Sequence, residues 1–176
     1  GHVARVLAPS DGPPPDGWVT PLGNSIPTAA NGSVAPIAPD PSAQLRLIRA
    51  VRDEGFDVLH LHEPMVPGPC MTACFIKPAP LVATFHAAGN HASYQYLNPA
   101  LRWLAGRIDV RTTVSAEAEA LAVAHLGGTY ERLFNGIQQL LSGLKGSLYL
   151  AVLITATIFA AATGIVGSSV TLLGVM

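Results

Sequence analysis

Apolar residues occur along this chain in short, nearly unbroken runs, separated by longer segments with a helical period. Residues 58–61 and 81–85 are two such runs, each bounded by turn formers and charged residues. Runs of this length predict strands buried on both faces, the habit of a parallel sheet. Residues 109–114 predict a third strand, and residues 2–8, 18–22, 34–38 and 130–134 predict shorter ones. Asn31-Gly32-Ser33 predicts a tight turn, since Asn and Gly tolerate positive φ. Residues 9–17 hold four prolines and two glycines and predict a loop.

Helical periods fill the gaps. Residues 42–54 predict a helix capped by Ser42 and ended by Gly55, with Leu45, Ile48 and Val51 or Arg52 on its packing side. Residues 67–76 predict a short helix stopped by the Pro78 and Pro80 pair. Residues 94–107 predict another, with Leu97, Leu101 and Leu104 on one side. Ser115 predicts the cap of a helix over 116–126, whose Glu117 and Glu119 suit the helix dipole. Asn135-Gly136 predicts a turn. Strands alternating with helices of about ten to fourteen residues indicate an α/β fold with a Rossmann-like parallel sheet.

The pattern changes after Ile137. Residues 138–146 read as an amphipathic lead-in. Residues 147–176 are uncharged and largely apolar, longer than the roughly 20 residues that span a bilayer. They predict a C-terminal transmembrane helix, broken near Gly164–Gly167. Three segments result, 1–137, 138–146 and 147–176. Arg132 and Lys145 before the apolar segment place the preceding domain on the cytoplasmic side of the membrane.

Composition adds three limits. Charged residues are 12% of the chain, net charge is -1 and pI about 6.6, so nothing electrostatic favours nucleic acid. Mean hydropathy of +0.39 comes mainly from the tail. Cys70 and Cys74, spaced C-x3-C, fit neither a zinc knuckle nor a redox pair; they read as buried thiols in a reducing compartment.

Ligands of parallel sheets bind beyond the carboxyl ends of the strands. His62 and Glu63 stand at one such end and His86 at the next. A histidine there can donate to developing negative charge or hold a hydroxyl. Pro64 is expected to keep Glu63 extended. His60 is expected across the strand from His62, as a packed residue. A metal centre at His60, His62, Glu63 and His86 is not expected, because no Asp or Cys completes it. No G-x-S-x-G elbow points to a serine hydrolase.

The stretch Phe56-Asp57-Val58-Leu59-His60-Leu61-His62-Glu63-Pro64, with Ala83-Thr84-Phe85-His86, Val114-Ser115 and Asn135-Gly136-Ile137, resembles the N-terminal, acceptor-side domain of retaining GT-B glycosyltransferases of the phosphatidylinositol mannosyltransferase type. The resemblance covers residues 1–137. It implies half of a GT-B fold without its first strand. It also implies sugar transfer, with mannose the leading choice, from a nucleotide-sugar donor such as GDP-mannose to a lipid-linked or small acceptor, with no metal or other cofactor. It gives His86 the catalytic place and puts Asn31, Glu63 and His62 among substrate-binding residues. The family's Gly-rich donor loop would precede Gly1 and its second Rossmann domain would follow Ile137, so the chain as given is expected to bind at most. Residues 138–176, through Gly143-Leu144-Lys145-Gly146 and residues 160–171, resemble a transmembrane stretch of the large permease subunit of tripartite carboxylate transporters. Two such resemblances meeting at Ile137 have the pattern of a chimera.

Overall fold

The computed structural model describes residues 2–14, 16–30, 33–87 and 97–163. Its centre is a four-stranded, wholly parallel sheet, β5 (Leu59–His62), β6 (Leu81–Phe85), β7 (Val110–Thr113) and β8 (Glu131–Arg132), ordered as in sequence. Parallel neighbours need crossovers, and helices supply them. Helix α2 (Pro69–Ile76) joins β5 to β6, α3 (Asn98–Ala105) precedes β7, and α4 (Ala116–Leu126) joins β7 to β8. This is the α/β, Rossmann-like arrangement expected.

Before it come a parallel pair, β1 (Val6–Ala8) with β2 (Val19–Pro21), and an antiparallel hairpin, β3 (Ile26–Ala30) with β4 (Ser33–Ile37). The sequence pattern does not predict β3. Helix α1 (Pro41–Glu54) follows the hairpin. Asp40, not Ser42, caps it. The Asp40 carboxylate accepts from the Ala43 amide at 3.0 Å and from the Ser42 hydroxyl. Pro41 sits in the first turn, where its missing N–H costs nothing. Gly55 closes the helix at φ 60°, a conformation that penalises any Cβ.

The packing side of α1 also differs from the expectation. Ala43, Leu47, Ala50 and Val51 are buried, whereas Leu45 and Ile48 are exposed. The true stripe runs i, i+4, i+7, i+8 and is built partly from alanines.

Core residues come from one face of the sheet and the helices laid on it. Leu59, Leu61, Leu81, Ala83 and Phe85 pack with Leu47, Val51, Ala73, Cys74, Leu101 and Leu104. Phe85 meets Tyr130 edge to face at 5.3 Å. Helix α4 is capped as expected, with the Ser115 hydroxyl accepting from the Ala118 amide at 3.2 Å. Arginines finish two helices: Arg107 donates to the Cys74 and Phe75 carbonyls of α2, and Arg102 to the Ala124 and His125 carbonyls of α4. Asp109 accepts from Lys77 Nζ and the Leu81 amide, both at 2.8 Å, and so ties the start of β6 to β7.

The C-terminal expectations need two corrections. Asn135-Gly136 is not a turn but lies inside helix α5 (Leu133–Leu140), and β8 is only two residues long. Helix α6 (Ser147–Thr163) is apolar, yet among the described residues no helix is long and apolar enough to cross a membrane. The expected transmembrane helix over 147–176 is therefore not supported. In its described part, Ala151 and Thr155 are buried against protein instead of facing outward. The expected break at Gly164–Gly167 lies outside the described residues.

Candidate functional site

Strands β5 and β6 align so that His62 sits opposite Thr84. Residues two apart on a strand share a face, so His60 and His62 project together. This corrects the expectation that His60 lies across the strand. Their rings stack at 4.7 Å. His86, two residues beyond Thr84, brings a third ring to 5.3 Å from His62. His62 Nδ1 and His86 Nε2 share a hydrogen bond of 3.0 Å.

A ladder of hydroxyls supports the cluster. Fully buried Thr84 places its Oγ1 2.7 Å from His60 Nε2 and 2.8 Å from Thr112 Oγ1. The Thr112 hydroxyl donates in turn to the Ala83 carbonyl at 3.2 Å. Neither threonine stands out among the candidate residues of the sequence. A signal exists nonetheless: Thr84 shares its strand face with His86, and Thr112 pairs with Thr84 across β6 and β7.

Glu63 joins by a different route. Its amide donates to the Thr84 carbonyl at 2.9 Å, extending the ladder by one bond. Its backbone then turns to φ 50°, so the extended conformation expected before Pro64 is not adopted. A left-handed residue with a Cβ costs of order 1 kcal/mol or more. The turn returns the side chain to the end of β6, where Glu63 Oε2 accepts from the His86 amide at 2.7 Å and the Ala87 amide at 2.8 Å. Two charge-assisted bonds of this kind offset the strain.

The histidines are biased toward neutrality. Burial, then the neighbouring His62 and His60, lowers His86 to about 3. Burial, then His60, lowers His62 to about 4. Burial lowers His60 as well. His62 keeps an open side to solvent, and water there screens part of the effect. The arrangement offers neutral imidazoles that donate or accept single hydrogen bonds, close to a fixed carboxylate.

The neighbouring thiols are quiet. Burial, with Cys70 beside it, pushes Cys74 up to about 12, and burial raises Cys70 too. Among the described residues no group of three or more His, Cys, Asp or Glu is arranged to hold a metal ion. Of the residues expected at the site, His62, Glu63 and His86 come together; Asn31 lies outside the described residues.

The stretch of sequence that builds this site has relatives. The phosphatidyl-myo-inositol mannosyltransferase of Propionibacterium freudenreichii subsp. shermanii is 33% identical over 138 residues, covering 78% of this chain and 36% of its own length. The protein of the same name from Mycobacterium leprae is 36% identical over 142 residues, covering 78% of this chain and 37% of its own. That from Mycolicibacterium smegmatis is 32% identical over 140 residues, covering 78% of this chain and 36% of its own. The chain thus spans little more than a third of the length of these relatives. No support emerges for the permease resemblance of residues 138–176, nor for the chimera it suggested. The match to Glycosyltransferase Family 4 runs over residues 1–138, taking in every strand among the described residues and the whole histidine cluster, and the chain belongs to that family.

Proposed function

We propose that this chain is the acceptor-side half of a retaining GT-B transferase, which moves a sugar from a nucleotide-sugar donor to a lipid-linked or small acceptor. The observation that carries the reading is the family match over residues 1–138, with His86 at the carboxyl end of a central parallel strand. Mannose from GDP-mannose is the favoured donor chemistry, because the relatives compared above are named as mannosyltransferases. The phosphatidyl-myo-inositol in their names supports work by a cytoplasmic domain at the membrane surface.

His86 contacts the transferred sugar and steadies the acceptor. Its neutral ring suits a hydroxyl or phosphate oxygen, and the partly buried strand end strengthens each bond made there. Asn31 belongs near this place by resemblance. By the family resemblance, the donor is held by a second Rossmann domain.

The test is replacement by Ala of the histidine aligned with His86 in an intact relative. Transfer is expected to fall by about 10²–10³-fold, the usual effect of losing one preorganised donor. Unchanged turnover removes the catalytic assignment.

A further inference from the structure

We infer that His62 and Glu63 are positioning residues for His86: Glu63 anchors the backbone on which His86 stands, and His62 decides which nitrogen of the His86 ring carries the proton. The inference rests on the proposed role of His86 and changes the role of its two neighbours, which the family resemblance places on substrate.

The backbone half follows from the Glu63 carboxylate. Oε2 is engaged by two successive N–H groups, those of His86 and Ala87. These are the amides through which the chain leaves β6, so their direction sets the direction of the His86 Cα–Cβ bond. Glu63 is itself fixed from behind, through its amide on the Thr84 carbonyl and its carbonyl on the Val66 amide. A side chain held at both ends in a left-handed turn is poorly suited to swing toward a substrate.

The ring half follows from proton counting. A neutral imidazole has one N–H and one lone pair. The 3.0 Å bond between His62 Nδ1 and His86 Nε2 therefore contains one proton. If His62 donates, His86 carries its own proton on Nδ1; if His86 donates, its Nδ1 is an acceptor. Either way the partner nitrogen selects the His86 tautomer. His62 is in turn held flat against His60, whose Nε2 is pinned by Thr84 and, behind it, Thr112. His60, His62, Glu63, Thr84 and Thr112 thus converge on the orientation of one ring. A ring fixed in tautomer and direction meets a sugar hydroxyl with one defined role, donor or acceptor.

The experiment uses the 176-residue chain labelled with 15N. Long-range proton–nitrogen correlation near neutral pH reads which His86 nitrogen is protonated. In the parent chain one tautomer should dominate. In His62→Ala the ratio should fall by about fivefold to tenfold, the size of one net hydrogen bond. His62→Leu, which keeps bulk but offers Nε2 neither donor nor acceptor, should lower the ratio as His62→Ala does. Glu63→Ala should shift the His86 and Ala87 amide resonances, and Glu63→Gln, which retains an acceptor oxygen, should restore most of the shift. An unchanged tautomer ratio in His62→Ala, or unmoved amides in Glu63→Ala, overturns the inference. Should either alanine variant fail to fold, the second variants decide: an unchanged tautomer ratio in folded His62→Leu, or amides in folded Glu63→Gln displaced as far as unfolded-like values, overturn it as well. None of these readouts involves sugar transfer. An inert His86 in an intact relative would therefore defeat the catalytic reading separately.

Discussion

Strands β5 and β6 have two faces, and the faces differ in kind. One carries Leu59, Leu61, Leu81, Ala83 and Phe85, all buried among helices. The other carries His60, His62 and Thr84, followed by His86. The same backbone hydrogen bonds serve both. On the first face stability comes from apolar area removed from water, which is non-directional. On the second it comes from single hydrogen bonds, which are directional and chemically consequential. The contrast teaches that the sheet gains its rigidity on one side and uses it on the other.

Three perturbations can break or sharpen this contrast. The largest effect should follow Phe85→Ala, which empties a site only 1% exposed and removes the edge-to-face contact with Tyr130. A loss of about 3–5 kcal/mol is expected in chemical denaturation. A loss under about 1 kcal/mol would show that the face is loosely packed.

Acid should come next and bear on the histidines of the other face. The folded-state value of His86 lies at about 3, below its ordinary 6.5. Above 6.5 neither folded nor unfolded chain is protonated at this ring, and its contribution to stability is complete. As pH falls from 6.5 toward 3 the unfolded chain takes up a proton that the folded chain refuses, so stability drops, by roughly 2–4 kcal/mol after allowance for solvent screening. Below 3 the loss stops growing. His62, lowered to about 4, adds to the decline over the upper part of the window. Denaturation midpoints measured across this range should fall with acid. A flat profile would mean that the rings are hydrated and accept protons freely.

The smallest of the three should be Thr84→Val, which keeps the volume and removes the hydroxyl shared by His60 and Thr112. About 1–2 kcal/mol is expected, with a mobile His60 ring visible by NMR. Full stability with an unchanged ring would show that the hydroxyl ladder does not hold the cluster.

The apolar face is readable in the sequence and the polar face only partly so. A continuous apolar run such as 81–85, set between helical segments, has little alternative to a buried strand, and it forms β6. The β-branched residues of 109–114 point the same way and form β7. Ser115 is legible as a cap because an acidic first turn follows it. The sequence puts the cap of α1 two residues late, since Asp40, Pro41 and Ser42 all favour a helix start and only geometry ranks them. Strand β3 holds Pro27, Ala29 and Ala30, residues with little strand preference, and it forms because β4 pairs with it. Asn135-Gly136 has turn chemistry, yet it lies inside α5, a helix with no buried residue, and its placement there has no packing explanation. At the site, His62 and His86 can be located as strand ends. Their hydrogen bond, and the return of Glu63 to the β6 amides, depend on register and on a positive φ, and neither is written in local sequence.

The two native cysteines have a practical consequence. Alkylating reagents react with the thiolate, and at neutral pH a thiol that burial pushes up to about 12 stays protonated. Cys70 is shifted in the same direction. A reporter cysteine introduced on the exposed surface should therefore be labelled selectively with a fluorophore while the native pair is left in place, and ligand arrival near the histidines could be followed optically in the otherwise unaltered chain.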